Sequence, residues 1–181
     1  QKITNTKIKS VSRRAKYILI NLDNGLTVII HLGMSGRIVV EGLKSYKNIF
    51  KHTHLEIITT GKKKMKFIDP RRFGSVLLHE TNNLNTHKLI KNLAPEPLTK
   101  EFNATYLFKA LKGRSANIKS IIMNQFIVVG VGNIYASESL YKAKIRPGRQ
   151  AKSLSLNECV LLAKSIKKVL KRSIKLGGSS I

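Results

Sequence analysis

The sequence predicts an α+β fold in which an antiparallel β-sandwich or barrel precedes a separate helical domain. Three observations support this prediction. Short apolar runs separated by tight-turn residues fill the first half of the chain, a proline-containing stretch interrupts the middle, and the apolar spacing then becomes that of helices. We therefore expect a β domain over residues 1–90, a linker over residues 91–100 and a helical domain over residues 101–181.

Two hairpins are expected in the β domain. Asn24-Gly25 lies between apolar runs and is the strongest hairpin signal, because both residues tolerate positive φ. Thr60-Gly61 marks a second hairpin of the same kind. The strands expected around and between these turns are residues 17–22, 26–32, 37–40, 54–58, 64–68 and 75–78.

The second half of the chain carries helix start and stop signals. Residues 94–98 predict an extended linker, because each proline disfavours helical backbone at the residue before it. Thr99 is expected to cap the helix that follows the linker. Ser155 and Glu158 have the spacing of a capping box, and Gly177-Gly178 is expected to end the last helix.

The chain is strongly basic. Lys and Arg total 34 against 9 Asp and Glu, which gives a net charge of +25 and favours nucleic acid as a partner. A membrane surface is the weaker alternative, because no basic amphipathic segment stands alone and no apolar run could span a bilayer. One cysteine, Cys159, excludes a disulfide framework or a zinc site built from this chain, and it fits a reducing cytoplasm. Because Gln1 is not a methionine and no signal peptide is visible, we expect an excerpt of a longer cytoplasmic protein.

Gly130-Val131-Gly132-Asn133 is a candidate phosphate site. Its glycines permit close approach of another backbone, and a helix is expected to begin near Asn133 with unpaired N–H groups. An ordinary turn between helices is the alternative, and the net charge favours phosphate. Lys112, Arg114 and Lys119 lie just upstream, where they could add charge beside the phosphates or form a solvated basic face.

Asp69-Pro70-Arg71-Arg72-Phe73-Gly74 follows an expected strand. Two arginines beside an aromatic residue are typical of nucleic-acid contact, with guanidinium groups for phosphates or base edges and a ring for stacking or wedging. In the alternative interpretation, Phe73 lies in the core while Arg71 and Arg72 form ion pairs. The residues alone leave both interpretations open.

Two further motifs admit a functional role. Gly33 and Gly36 allow a tight loop that could present Met34 as a wedge, although an apolar side chain in such a loop is more often core. Lys16 precedes the first strong strand, either as a solvated lysine or, in a nucleic-acid enzyme, as a proton donor or acceptor.

His52 and His54 would share one face if residues 51–55 were extended. A metal site would need further ligands, and none is obvious in the sequence, so we expect no metal here. The role expected instead is contact between one of the pair and phosphate.

In combination, these motifs resemble the formamidopyrimidine-DNA glycosylase family of bacterial repair enzymes for oxidised purines. The resemblance covers nearly the whole chain, and its segments follow the family's order and spacing. It implies a β-sandwich, then a helix–two-turn–helix domain, then a zinc finger, so one zinc is expected in the full-length protein and no cofactor in this chain. The matching segments are residues 13–17, 31–36, 69–74, 95–98 and 128–140.

The resemblance also implies residue roles at the matching positions. Lys16 would be important for catalysis. The target nucleotide must leave the helix because the reacting carbon is hidden within the base stack, and a wedge fills the gap that remains. The implied wedge is Met34, Arg71 and Phe73, with Arg71 facing the orphaned base, and the implied DNA contacts are His52, Arg71, Arg114, Lys119, Gly132 and Asn133.

Other parts of the family pattern are not found in this chain. The family's nucleophile is an N-terminal proline with a neighbouring glutamate, and its zinc finger holds a catalytic arginine. We therefore expect this chain to bind double-stranded DNA containing oxidised bases or abasic sites without excising bases. We also expect a monomer that acts on the nucleoid in the bacterial cytoplasm and makes no membrane contact.

Two alternatives differ in function. The sister family, endonuclease VIII, acts on oxidised pyrimidines, and the separation of Met34 from Arg71 and Phe73 favours the purine branch. A non-enzymatic nucleic-acid-binding module is the other alternative, because a helix–two-turn–helix also occurs in an RNA-binding ribosomal protein. The wedge motifs would have no use in such a module.

Overall fold

The computed structural model describes residues 2–43 and 50–178. Its contacts divide the chain into two compact units, Gln1–His87 and Lys88–Ile181. The first unit is built from β-strands and the second from helices, which confirms the α+β class. Among the described residues, no helix combines the length and the apolar character needed to cross a bilayer.

The β unit is a sandwich of two antiparallel sheets. One sheet has the order β1-β2-β3-β7 and the other the order β4-β6-β5. Apolar side chains from both sheets meet in one core, including Ile20, Val28 and Ile30 from the first sheet and Phe67 from the second. The strands are β1 (Ile8–Arg14), β2 (Tyr17–Leu22), β3 (Leu26–His31), β4 (Arg37–Gly42), β5 (Thr53–Ile58), β6 (Lys63–Ile68) and β7 (Ser75–Glu80).

Both expected hairpins form, but their turns differ from the prediction. In each turn, the residue immediately before the return strand adopts the left-handed conformation. In the first turn that residue is Gly25, with φ +80°, while Asn24 keeps negative φ and accepts a hydrogen bond from the Leu26 N–H. In the second turn it is Lys62, with φ +57°, and not Gly61. A left-handed residue in this place allows a longer turn to match the strand twist.

One strand was not predicted. β1 pairs along the edge of the first sheet with β2, and all but one of its side chains are exposed. Since no apolar face is buried, the alternation that identifies a half-buried strand is weak in its sequence.

The described part of the second unit contains four α-helices: α1 (Ala104–Leu111), α2 (Ile118–Met123), α3 (Asn133–Ala143) and α4 (Leu156–Lys175). α1 and α3 both pack against α4, and α2 packs against α3. The side chains at the centre of this core are fully buried, among them Phe102, Leu107, Ile122, Leu140 and Ile166. Cys159 is buried in the same core.

The helix ends confirm two of the three expected signals. Ser155 and Glu158 form a complete capping box at the start of α4. After α4, Gly177 has φ +75° and the Gly178 N–H donates to the Ser173 carbonyl at 2.9 Å. The expected cap at Thr99 is wrong: its hydroxyl donates to the Glu96 carbonyl, and Asn103 instead caps α1 by accepting the Tyr106 N–H.

An ion pair joins the start of α4 to the loop before it. Arg149 donates to both carboxylate oxygens of Glu158, and the second oxygen also accepts the Ser155 N–H. The bond from Arg149 and then the backbone donor at Ser155 lower the pKa of Glu158 from 4.5 to about 2. Because the pKa is lowered on folding, the stabilisation is complete above pH 4.5 and is lost as the pH falls toward 2.

We expect Glu158→Gln to lower the free energy of unfolding at pH 7 by about 1–2 kcal/mol, since it removes a capping group and a partly exposed ion pair. It should also flatten the decline in stability between pH 4.5 and 2. Urea unfolding followed by circular dichroism measures both effects, with the exposed Glu138→Gln as the control. The same acid sensitivity in Glu158→Gln and wild type would contradict the assignment.

Candidate nucleic-acid interface

Three segments with predicted site residues meet at one end of the four-stranded sheet. The turn that contains Lys16 precedes β2, residues 32–36 follow β3, and residues 69–74 precede β7. Tyr17 pairs with His31, and His31 pairs with Ser75, so the ends of these three strands lie side by side. The antiparallel register therefore gathers residues that lie far apart in sequence.

Asp69 joins two of these segments. Its side chain is 1% exposed, and one carboxylate oxygen accepts the Ser35 hydroxyl at 2.7 Å and the Arg71 N–H at 3.3 Å. The other oxygen accepts the Gly74 N–H at 2.7 Å. The Ser35 bond and then the Gly74 bond lower the pKa of Asp69, so the carboxylate stays ionised. One buried anion thus holds the Met34 loop (residues 32–36) and the Phe73 loop (residues 69–74) together.

Two glycines allow the loops to approach this closely. A Cβ atom on Gly33, which has φ +66°, would lie 2.7 Å from the backbone of both Phe73 and Gly74. A Cβ atom on Gly74 would lie 2.5 Å from the Phe67 ring and 2.8 Å from the His31 carbonyl oxygen. Both positions therefore require glycine for steric reasons.

The apolar side chains on the two loops point outward. Met34 is 74% exposed and Phe73 is 58% exposed, so neither belongs to the core. The Arg71 guanidinium carbon lies 5.0 Å from the centre of the Phe73 ring, within cation–π range. Among the described residues, no carboxylate pairs with Arg71 or Arg72. The loops thus present two apolar groups and two cations from a fixed base.

Lys16 is exposed in the two-residue turn between β1 and β2, where Ala15 has φ +53°. Burial and then the positive charge of Lys16 lower the pKa of His31. The neutral His31 ring packs near Tyr17 and accepts the Gly33 N–H at its Nδ1 atom, 3.1 Å away. Lys16 is therefore electrostatically linked to the base of the Met34 loop.

The expected arrangement of the two histidines is wrong. His52 has φ +67°, so the backbone is not extended there and β5 begins only at Thr53. The His54 ring donates from Nε2 to the Asp69 carbonyl at 2.9 Å, whereas His52 is exposed and accepts the Asp69 N–H at its carbonyl. In the described part of the chain, no group of three or more His, Cys, Asp and Glu side chains could hold a metal.

In the helical unit, the glycine motif leads directly into α3. Gly130 has φ +76°, and Gly132 is the extended N-cap residue, with Asn133 the first helical residue. No side chain caps this end, no acidic residue lies in its first turn, and Asn133 is exposed. The preceding valines, Val128 and Val131, are buried and anchor the motif. These features leave an N-terminus open to an anion.

The two other predicted basic residues lie on an anchored segment of the same unit. Arg114 is exposed and its Nε atom donates to the Ala110 carbonyl at 2.7 Å. The Lys119 N–H donates to the Pro147 carbonyl at 3.3 Å near the start of α2. The Arg114 side chain and the Lys119 backbone are thereby held in place.

Sequence reasoning did not predict that three residues organise the interface. They are Ser35, His54 and Asp69, of which Asp69 links the two loops. Asp69 offered one signal, since it is one of only 9 acidic residues in a chain with 34 basic ones. The Ser35 partner cannot be predicted from local sequence, because Ser35 lies 34 residues away from Asp69.

Comparison with known proteins gives concordant matches for both units. Residues 1–76 match the family model for the formamidopyrimidine-DNA glycosylase N-terminal domain, and residues 93–181 match the model for the H2TH domain of the same enzyme. The chain is 46% identical to formamidopyrimidine-DNA glycosylase of Hydrogenovibrio crunogenus over 181 residues, covering 100% of the chain and 63% of the relative. For the Salmonella arizonae enzyme, identity is 46% over 180 residues, with 99% of the chain and 65% of the relative covered.

Solved structures agree. The Lactococcus lactis FPG protein in complex with a FAPY-dG containing DNA has a TM-score of 0.91 at 33% identity, covering 99% of this chain and 67% of that one. The Thermus thermophilus MutM protein has a TM-score of 0.86 at 34% identity, covering 97% and 63%. The chain thus spans about two thirds of its relatives' length. It belongs to the formamidopyrimidine-DNA glycosylase family.

Proposed function

We propose that the full-length protein removes oxidised purines, 8-oxoguanine and formamidopyrimidines, from DNA by glycosylase and abasic-site lyase activity, and that this chain is its DNA-binding central part. The described residues would bind the DNA double helix. The observation that carries this proposal is the exposure of Met34 and Phe73 on two loops joined by the buried Asp69 carboxylate. Exposed apolar side chains on fixed loops are suited to entering a base stack.

The relatives support the same substrate class. Besides the Lactococcus lactis complex with FAPY-dG DNA, a structure of MutM in complex with carbocyclic 8-oxo-G containing DNA has a TM-score of 0.91 at 33% identity. The partner proposed for this protein is accordingly double-stranded DNA with oxidised bases or abasic sites. We propose further that it acts as a monomer in the bacterial cytoplasm.

The proposed wedge acts when the damaged nucleotide leaves the helix. Unstacking that nucleotide costs a few kcal/mol. Met34 and Phe73 would fill the gap and recover apolar and stacking contacts, while Arg71 would face the orphaned base. The position of Arg71 over the Phe73 ring keeps its guanidinium beside the stacking group rather than free in solvent.

Lys16 is the proposed catalytic residue in this part of the protein. Its turn lies at the same sheet end as the Met34 loop, and its charge acts on His31, which holds that loop through Gly33. An exposed ammonium there can contact a nucleotide and donate a proton or, once neutral, accept one. His52, exposed near the Asp69 backbone, is a proposed DNA contact.

The helical unit is proposed to hold the phosphate backbone. Gly132 and Asn133 would bind phosphate through the open N–H groups of α3 and the Asn133 side chain. Lys119 and Arg114 would add two charged contacts from the segment around α2. These contacts carry no sequence information, which suits an enzyme that must find damage in any sequence.

The family implies one zinc in the full-length protein. The described residues do not fit a zinc site, because they offer no cluster of three or more ligating side chains and Cys159 is buried in the helical core. We propose that zinc is held elsewhere in the longer protein, and none of the roles assigned above involves it.

The named relatives favour the purine branch over endonuclease VIII, since they are called formamidopyrimidine-DNA glycosylase. Comparing the excision of oxidised purines and pyrimidines by the full-length protein tests this choice. Preferential binding of folded RNA over abasic-site DNA would instead support a non-enzymatic module.

Phe73→Ala tests the wedge. Loss of the ring should weaken binding to a duplex with an abasic-site analogue by about 10-fold, because one base–aromatic stack contributes about 1–3 kcal/mol. Binding to the matched intact duplex should change by less than about 2-fold, since no gap is filled there. Fluorescence anisotropy measures both affinities, and Phe108→Ala is the control for loss of a partly exposed ring. A sharp fall in melting temperature with equal loss on both duplexes would overturn the wedge role.

Lys119→Ala tests the phosphate contact. It should weaken binding to all duplexes alike and reduce the slope of log affinity against log salt concentration by about 1. Affinity measured over a series of salt concentrations gives this slope. The exposed Lys109→Ala serves as the charge-matched control. An unchanged slope for Lys119→Ala would exclude the contact.

A further inference from the structure

The outer face of α4 carries a row of lysines that none of the roles above uses. Lys164, Lys168, Lys171 and Lys175 lie at positions i, i+4, i+7 and i+11, and all four are exposed. This spacing puts them on one face of the helix. We refer to these four residues as the lysine stripe.

The lysine stripe faces away from the rest of its unit. The buried residues of α4, including Leu162, Ile166 and Val169, form the opposite side of the helix. On that inner side, Ser173 also hydrogen-bonds to Tyr135 of α3. At 100° per residue, the middle of the stripe lies roughly 170° from the middle of the buried face. The lysine stripe and the start of α3 would therefore be two separate anion-binding sites.

The charge of the stripe is not neutralised within the described chain. The one acidic residue of α4 is Glu158, and Arg149 and the capping box already engage it. No ion pair among the described residues reaches the stripe. Lys167, on the edge of the same helix, shows the contrast: its ammonium donates to the Thr99 carbonyl at 2.8 Å.

Helix electrostatics explain only part of the stripe. Lys171 and Lys175 lie near the C-terminus of α4, where the helix dipole favours positive charge. Lys164 and Lys168 lie too far from that end to benefit, and lysines spaced three or four apart repel one another by a few tenths of a kcal/mol. An external polyanion would relieve this repulsion along the whole row.

We propose that the lysine stripe binds the phosphate backbone of a second DNA duplex. Eleven residues of helix span about 16 Å, and one strand of B-DNA presents a phosphate about every 3.4 Å along the axis, so the stripe matches about five phosphates. The proposed function assigns the first duplex to the wedge and the start of α3. A second duplex on α4 would let one molecule bridge two segments of DNA and pass between them.

A capture experiment tests the bridge. A duplex with an abasic-site analogue is immobilised and saturated with the chain, and a second, labelled undamaged duplex is added. Four proteins are compared: wild type, a variant with Lys→Gln at all four stripe positions, a variant with Lys→Arg at the same positions, and a control with Lys→Gln at Lys88, Lys91, Lys100 and Lys109. The control removes four exposed lysines of the same unit.

Wild type, the arginine variant and the control should capture the second duplex, whereas the stripe glutamine variant should capture at least about 10-fold less. In solution, the slope of log affinity against log salt concentration for undamaged duplex should also be smaller in the stripe glutamine variant, by up to about 3.6. Each of the four phosphate contacts contributes about 0.9 to this slope. The affinity of the stripe glutamine variant for the duplex with the abasic-site analogue (the lesion duplex) should stay within about 2-fold of the wild-type affinity. Its melting curve should match that of the arginine variant.

Equal capture by the stripe glutamine variant and wild type would overturn the proposal, as would an equal loss in the control. Wild-type binding to vesicles rich in phosphatidylserine, without capture of a second duplex, would identify the stripe as a membrane contact instead. If wild type fails to bind the lesion duplex, the proposed function fails. The salt slopes on undamaged duplex still decide the stripe in that case, and equal slopes for wild type and the stripe glutamine variant overturn it.

Discussion

The buried carboxylate of Asp69 fixes the geometry of the β unit at the end where the proposed wedge lies. It accepts one hydrogen bond from the loop that carries Met34 and two from the loop that carries Phe73. Burying an anion is costly unless donors satisfy it, and three donors around one carboxylate offset that cost. The same bonds order both loops, so two exposed apolar side chains keep a defined separation without packing against the core.

Two kinds of physical interaction would then act on DNA, one in each unit. The loops of the β unit present apolar side chains that would contribute to binding only where the base stack has a gap. They would therefore discriminate damaged from intact duplex. The start of α3 and the nearby basic residues present charge and N–H groups. Their contribution to affinity would be the same for every DNA base sequence. Affinity and discrimination would therefore arise in different parts of the chain and could be changed separately by mutation.

Local sequence was sufficient for features whose causes are local. The hairpin at Gly25, the capping box at Ser155 and the glycine stop at Gly177 depend on neighbouring residues, and all three form. The wrong prediction at Thr99 has a local cause, whereas the wrong prediction at His52 involves a residue further along the chain. Thr99 is a good capping residue, but its hydroxyl is already engaged by Glu96. His52 leaves the extended conformation at the point where its carbonyl accepts the Asp69 N–H.

In the candidate site, too, some features could be predicted from local sequence and others could not. Motif chemistry predicted which side chains could face DNA, and of these Met34 and Phe73 are exposed. The link between them could not be predicted, because Ser35 and Asp69 meet only once the strands have paired. Periodicity and composition contain no information on such a contact.

The central claim is that Asp69 makes the Met34 and Phe73 loops act as one unit on damaged DNA. A double-mutant cycle between Met34→Ala and Phe73→Ala, measured as affinity for a duplex with an abasic-site analogue, tests it directly when repeated in a Ser35→Ala background. Ser35→Ala removes the bond between the loops and leaves both donors of the Phe73 loop in place. We expect a coupling energy of about 1 kcal/mol between Met34 and Phe73 in the wild-type background and none in Ser35→Ala. Additive effects in the wild-type background, or equal coupling in both backgrounds, would contradict the claim.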